Sequence, residues 1–226
     1  MNKNSTLIAL VILVTLSACH RYYTSGSFEE KSSKHKQIAV LPPRMVLTGN
    51  QPRNLSPSDI ARLEETESKL FQEALYNNIL KKGNQGKYEL GVQVQPYANT
   101  LALLDKKQIS VRESWDKSDG ELADALGVDA VVRTTIQKDR IMSDVASATI
   151  FSAKKILDVV VSRNPPVTPG FTKTANIKAT CSLVSNGETL WTDSYNKESD
   201  FSKPANEVID NITNNFAKHF PYRRKG

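Results

Sequence analysis

Apolar residues along the chain follow two spacings, one typical of buried strands and one typical of amphipathic helices. Residues 37–43 form a continuous apolar run that stops at two prolines, as in a strand buried on both faces. From Ser56 to Gly83, apolar side chains recur every three or four positions. A serine, a proline and an acid mark the start of this stretch as a helix N-terminus. The predicted domain therefore opens with a strand and a long helix.

The same two patterns continue through the middle of the chain. Residues 88–95 alternate with period two and predict a half-buried strand, and a short helix is expected over 97–106. Residues 118–121 form a capping box, so the next helix runs from Ser118 to Gly127. The apolar run at 130–136 then predicts a second central strand.

The C-terminal part predicts a hairpin and a helix. Residues 177–184 alternate in polarity, and Asn186-Gly187 is a turn dipeptide that leads into a return strand. A final amphipathic helix is expected to begin at Pro204. We expect Val40 and Val132 to lie on adjacent buried strands. The elements together predict a single α/β domain over 37–221, a mixed β-sheet with helices packed on it.

Residues 141–161 admit two interpretations. Apolar side chains recur there with helical spacing, whereas 157–161 alone would also suit a strand. We interpret the segment as a helix that packs on the core or on a partner. Ile150 and Leu157 are the candidate partner-binding residues here. Trp191 is a third candidate, although the core is its first expected position.

The N-terminus resembles a bacterial lipoprotein signal. Lys3 precedes a ten-residue apolar run that is about 15 Å long as a helix, half of a ~30 Å hydrocarbon core. The run ends in Leu16-Ser17-Ala18-Cys19, which resembles the lipobox. This resemblance implies a signal peptide over 1–18, acyl chains on Cys19 and a membrane-held protein. His20, rather than an aspartate, follows the cysteine and favours the outer membrane on its periplasmic side, with surface exposure left open.

Two polar segments flank the predicted domain. Residues 19–36 are expected to be a flexible tether, and residues 222–226 a basic tail. The chain of 226 residues has a formal net charge of +6. For an exported lipoprotein we expect contacts with anionic headgroups or a solvated surface, and no nucleic acid.

The sequence offers little for catalysis. His20, His35 and His219 all lie away from the ends of predicted core strands. There is no phosphate-binding loop and no zinc-ligand spacing, so we expect no cofactor, no metal and no enzymatic activity. Two cysteines are too few for a disulfide scaffold. Cys181 is expected to be a buried, inert thiol, with an intermolecular disulfide as the alternative.

Three motifs in this order resemble the curli-secretion lipoprotein family. Its relatives include the penicillin-binding-protein activator lipoproteins and the amino-terminal domain of TolB. The motifs are the run at 37–43 before a long helix, the stretch ADALGVDAVV at 123–132, and the turn NGETLW at 186–191. The resemblance implies a TolB amino-terminal, anticodon-binding-like topology.

The resemblance also frames the function. It implies a lipid-anchored interaction domain that supports an envelope assembly, such as cell-wall synthesis or secretion, through an envelope protein partner. The alternative is a subunit of an oligomeric channel of the curli type, and homo-oligomers stay open. Residues 141–161 do not support the channel alternative. A barrel wall needs period-two alternation, whereas this segment has helical spacing. A hydrolase with an unrecognised site is the third hypothesis.

Overall fold

The computed structural model describes residues 22–49, 56–140, 175–199 and 205–226. These residues form nine strands and six helices. In chain order the elements are β1 (Tyr22–Thr24), α1 (Phe28–Ser32), β2 (Gln37–Val40), β3 (Arg44–Gly49), α2 (Pro57–Gly83), β4 (Tyr88–Leu90), β5 (Gln93–Val94), α3 (Tyr97–Lys106), α4 (Val111–Asp116), α5 (Asp119–Leu126), β6 (Ala130–Arg140), β7 (Ala175–Ser185), β8 (Glu188–Ser199), α6 (Ala205–Lys218) and β9 (Arg223–Lys225).

Seven strands form one mixed sheet in the order β1-β8-β7-β6-β2-β5, with β3 also paired to β6. The strand β2 runs parallel to both β5 and β6. The strands β6, β7 and β8 form an antiparallel meander, and β1 pairs antiparallel with β8 at the edge. The fold is therefore α/β with helices packed on a mixed sheet, as predicted.

The centre of the sheet is built as expected. Val40 of β2 is paired with Val132 of β6, and both side chains are fully buried. Pro42 and Pro43 interrupt the pairing with β6, since they have no N–H to donate. The strand β3 then pairs with the second half of β6. Side chains of α2 donate hydrogen bonds to the backbone carbonyls at this interruption. Gln72 Nε2 donates to Val40 O at 2.8 Å, and Ser68 Oγ donates to Pro43 O at 2.7 Å.

Helices cover the sheet on both faces. Because successive strand residues point to opposite faces, Val131 and Val132 lie in different apolar clusters. One cluster contains Val132 with side chains from α2 and α6, including Phe71, Leu75, Ile79, Ile212 and Phe216. The other contains Val131 with side chains from α3 and α5, including Leu104, Leu122 and Leu126.

The predicted boundaries of α2 and α5 are confirmed, whereas the helix expected over 141–161 lies outside the described residues. Ser56 and Asp59 form a capping box at the start of α2, with Pro57 at its first position. Ser118 and Glu121 form a second box at the start of α5, and Gly127 ends that helix with φ +68°. The left-handed conformation at this position explains the glycine.

Two predicted segments differ in the structure. The single strand expected over 88–95 is two strands, because β4 pairs with β9 and β5 pairs with β2. The basic tail expected over 222–226 is part of the fold. Tyr222 is fully buried, and Arg223–Lys225 forms the strand β9. The tail pairs with β4 because the chain returns past Gly91, whose N–H donates to Tyr222 O at 2.9 Å.

Candidate functional site

Residues 22–36 belong to the folded domain. We expected a flexible tether over 19–36, and for residues 22–36 this expectation is wrong. The strand β1 covers the edge of β8, with Tyr22 opposite Asp193 and Thr24 opposite Trp191. The N–H of Ser25 extends the pairing by donating to Leu190 O at 2.8 Å. The edge of β8 therefore organises a polar segment that has no apolar pattern of its own.

Two tyrosines on β1 are partly exposed. The side chain of Tyr22 is 39% exposed and that of Tyr23 is 54% exposed. In the parts of the chain that the structure describes, they are the only exposed large hydrophobic side chains. The ring of Tyr22 stacks on His219 with centroids 5.2 Å apart, so this tyrosine is held in place from one side.

The buried side chain of Asp193 connects β8 to the C-terminal end of α6, beneath Tyr22. Asp193 is fully buried, and its Oδ1 accepts from the N–H of Ser194 at 2.8 Å. Its Oδ2 contacts His219 Nδ1 at 2.9 Å and accepts from Asn215 Nδ2 at 3.3 Å. These partners compensate the carboxylate for its lost hydration.

The helix α1 holds the N-terminal segment at a second place. Phe28 is 4% exposed, and its ring packs edge-on against Tyr222 with centroids 5.6 Å apart. At the tip of the β7–β8 hairpin, the carboxylate of Glu188 accepts from Lys31 and Ser27. The hydrogen bond from Lys31, followed by that from Ser27, lowers the pKa of Glu188.

A hydrogen-bonded chain passes through His35. Ser185 donates its hydroxyl proton to Asp129 O at 2.8 Å, so its Oγ accepts from His35 Nε2 at 3.2 Å. The other ring nitrogen, Nδ1, then accepts from the hydroxyl of Tyr222. Burial lowers the pKa of His35, which favours the neutral ring that this pattern requires. Burial also raises the pKa of Tyr222, which keeps the phenol protonated as a donor.

The pair Ser185 and His35 resembles a catalytic nucleophile and its base, but its hydrogen bonds have a structural role. Ser185 is 3% exposed, and its proton is committed to a carbonyl oxygen. Burial acts to raise the pKa of Asp129, yet the N–H groups of Gln37 and Lys36 lower it overall. These N–H groups donate to Asp129 Oδ2 at 2.9 and 2.7 Å, so the carboxylate holds the start of β2.

A cleft of about 480 Å³ lies beside the hydrogen-bonded residues His35 and Ser185. Its charged lining includes Lys31, Lys34, Asp124 and Asp129. The mixed signs make it a polar surface without a net preference for an anion or a cation. Across the described residues, no three acidic, cysteine or histidine side chains are grouped so as to hold a metal ion.

The residues predicted from the sequence as sites fall in different places. Cys19, Ile150 and Leu157 lie outside the described residues. Trp191 is fully buried, so the hypothesis of a surface anchor is wrong. Its indole packs edge-on against Phe220 at 5.8 Å because the chain after α6 covers this part of β8. Cys181 is buried as predicted, and burial raises the pKa of its thiol to about 12.

Sequence reasoning missed Asp193 and Tyr222. It also missed the structural roles of His35 and His219. Each residue acts through partners that are distant along the chain, such as Asp193 with His219 and His35 with Tyr222. The one local signal was that Asp193 lies two residues after Trp191, and therefore on the same face of the strand as this core residue. A polar residue at a core position indicates a buried partner, although it does not identify that partner.

No family model matches the sequence, and no curated protein matches it. The similar solved structures include the lipoprotein GNA1162 from Neisseria meningitidis, with 14% identity and a TM-score of 0.39, covering 81% of this chain and 98% of that one. A PelC dodecamer from Paraburkholderia phytofirmans has 11% identity and a TM-score of 0.35, covering 81% and 86%. The LpoB C-terminal domain from Salmonella enterica has 12% identity and a TM-score of 0.35, covering 73% and 83%. Similarities this distant assign no function to the chain.

Within the described residues, no helix combines the length and the apolar character needed to cross a bilayer.

Proposed function

We propose that the protein is a lipid-anchored, non-catalytic accessory domain on the periplasmic side of the outer membrane. There it supports an envelope assembly, such as cell-wall synthesis or secretion, by binding an envelope protein. The observation that carries this proposal is the sequence Leu16-Ser17-Ala18-Cys19 behind a short apolar run. Two or three acyl chains at Cys19 would hold the protein on a membrane essentially permanently.

The polar clusters of the domain support a non-catalytic role. The hydroxyl of Ser185 and the carboxylates of Asp129 and Asp193 each have partners that position strands or helices. A catalytic group would instead need an unengaged atom that a substrate can reach. The surface of the domain, rather than the cleft beside His35, is therefore the part we expect to act.

The anchor is tested by labelling with a palmitate analogue and by fractionating membranes. Cys19→Ala should abolish the label and move the protein out of the membrane fraction. The matched control is Cys181→Ala, which removes the only other cysteine and should keep both the label and the location. A Cys19→Ala protein that is processed and sedimented like wild type would refute the lipoprotein assignment.

The accessory role is tested by complementation. Cells that lack the protein should become more sensitive to detergents or to inhibitors of cell-wall synthesis. Wild type and Ser185→Ala should restore resistance, whereas Cys19→Ala should not. If Ser185→Ala is folded and anchored but fails to complement, a hydrolase is favoured instead. Discrete conductance steps of the purified lipoprotein in planar bilayers would favour the channel alternative.

A further inference from the structure

The distance between the proposed anchor and the folded domain is very short. Cys19 and Tyr22 are three residues apart, and Tyr22 is already the first residue of β1. An extended chain spans at most about 3.3–3.6 Å per residue, so the two Cα atoms are within roughly 11 Å of each other. With its acyl chains in the bilayer, Cys19 would bring β1 to the membrane surface.

The dimensions of a bilayer place β1 in the headgroup layer or directly against it. The hydrocarbon core is about 30 Å thick and the whole bilayer about 40–45 Å, which leaves roughly 5–7 Å for each headgroup layer. The phenol rings of Tyr22 and Tyr23 are exposed at this place. Tyrosine is enriched at membrane interfaces because its ring is apolar and its hydroxyl is polar.

The attachment of β1 to the domain fixes which side faces the lipid. Tyr22 is paired with Asp193 and stacked on His219, and Phe28 is buried in the core. The strand β1 therefore moves with the sheet rather than as a loose leader. Five strand spacings separate β1 from β5 at the opposite edge, about 24 Å at roughly 4.8 Å each.

We propose that Tyr22 and Tyr23 form a second, interfacial contact with the leaflet that holds the acyl chains. This contact turns the β1 edge of the sheet toward the lipid and the β5 edge away from it. The inference rests on the proposed acylation of Cys19. Its ligand is the bilayer surface itself, contacted by two amphipathic rings on a rigid edge strand.

The test uses the mature acylated protein in vesicles of phosphatidylethanolamine and phosphatidylglycerol. Tyr23→Trp places a fluorescent reporter of similar interfacial character in the proposed contact. Gln93→Trp is the matched control, because Gln93 is also exposed but lies on the opposite edge strand. The native Trp115 and Trp191 are buried and give the same background in both variants. Flotation of the vesicles and a mass measurement first establish that each variant is acylated and bound.

Lipids brominated near the headgroup end of the acyl chain should quench the indole at position 23 several-fold more than the one at 93. Lipids brominated near the chain terminus should quench it less, as expected for an interfacial depth. Equal quenching at both positions in acylated, floating protein would overturn the oriented contact and leave the anchor intact. Deeper quenching at 23 would overturn the interfacial placement. A protein that is neither acylated nor floating would overturn the inference and the proposed anchor together.

Discussion

The centre and the β1 edge of the same sheet are stabilised by different chemistry. At the centre, Val40 and Val132 pair in a ladder between apolar layers, and neither contributes a polar side chain. At the edge, a three-residue strand is held by a stacked ring, by buried Asp193 beneath it, and by Phe28 farther along. Burial is complete at the centre, whereas Tyr22 and Tyr23 at the edge are 39% and 54% exposed. The comparison shows that a polar, aromatic segment can belong to a fold through a few specific contacts without being buried.

The largest effect is expected from a charge placed at the centre. Val132→Asp would bury a carboxylate without a partner, at a cost of more than about 4 kcal/mol out of a typical ~5–15 kcal/mol. We expect a large drop in the denaturant midpoint, as measured by circular dichroism during denaturant titration. Thr135→Asp is the control, because residue 135 is exposed on the same strand and should change stability by less than about 1 kcal/mol. Equal effects at the two positions would show that β6 is placed wrongly.

A second substitution asks whether the edge segment is a structural part of the domain. Phe28→Ala should cost about 3 kcal/mol, since it removes a ring that is 4% exposed. Tyr23→Ala is the control, because that side chain is 54% exposed and should have little effect in solution. Melting temperatures of a soluble Cys19→Ala protein would measure both. A Phe28→Ala protein as stable as wild type would restore the tether interpretation.

The polar contacts of Asp193 should contribute somewhat less to the stability of the domain than the buried ring of Phe28. Asp193→Ala leaves the Asn215 amide and the His219 ring without their acceptor, at a cost of about 2–3 kcal/mol. Asp193→Asn keeps one acceptor oxygen and should cost less. Urea unfolding of both variants measures the difference. If Ala and Asn are equally tolerated, the contacts of Asp193 contribute little to holding β8 and α6 together.

The smallest effect is a pH dependence carried by His35. Burial lowers its folded pKa below the ordinary 6.5, so at pH values between the two the unfolded chain binds a proton that the folded chain does not. Stability is therefore full above pH 6.5 and falls as the pH drops toward the folded value. His35→Asn removes the titrating ring and should flatten this part of the profile. Denaturant midpoints at several pH values across this window measure it, and an unchanged slope in the variant would exclude His35 as its source.

The elements predicted from the sequence are those with a local pattern. Ser56 and Ser118 mark the starts of two helices through contacts with acids three residues later, and both boxes are present. The helix Tyr97–Lys106 has the predicted bounds. The pairing of Val40 with Val132 follows because two apolar runs of this kind belong at the centre of a sheet.

The missed elements are short and depend on distant partners. The strand β3 follows Pro42-Pro43, where the pattern predicts an end, but the prolines only interrupt an edge that continues along β6. The strand β9 exists because β4 lies beside it, and β1 exists because β8 offers an open edge. A polar segment has no periodicity that would reveal such pairing, so composition alone favoured a tether and a tail. For Trp191, the core was the expected position and the candidate role at the surface was the error.

The pairing of β1 with β8 also sets an order of events during the biogenesis of the protein. The partner strand lies far along the chain, so β1 can dock only when most of the sequence is available for folding. Until then, no paired strand at residues 22–24 would obstruct the enzymes of the proposed acylation at Cys19. Docking then brings folded structure to within three residues of Cys19. If Cys19 is acylated as proposed, the late closure of the sheet edge gives that modification a time window that ends when folding is complete.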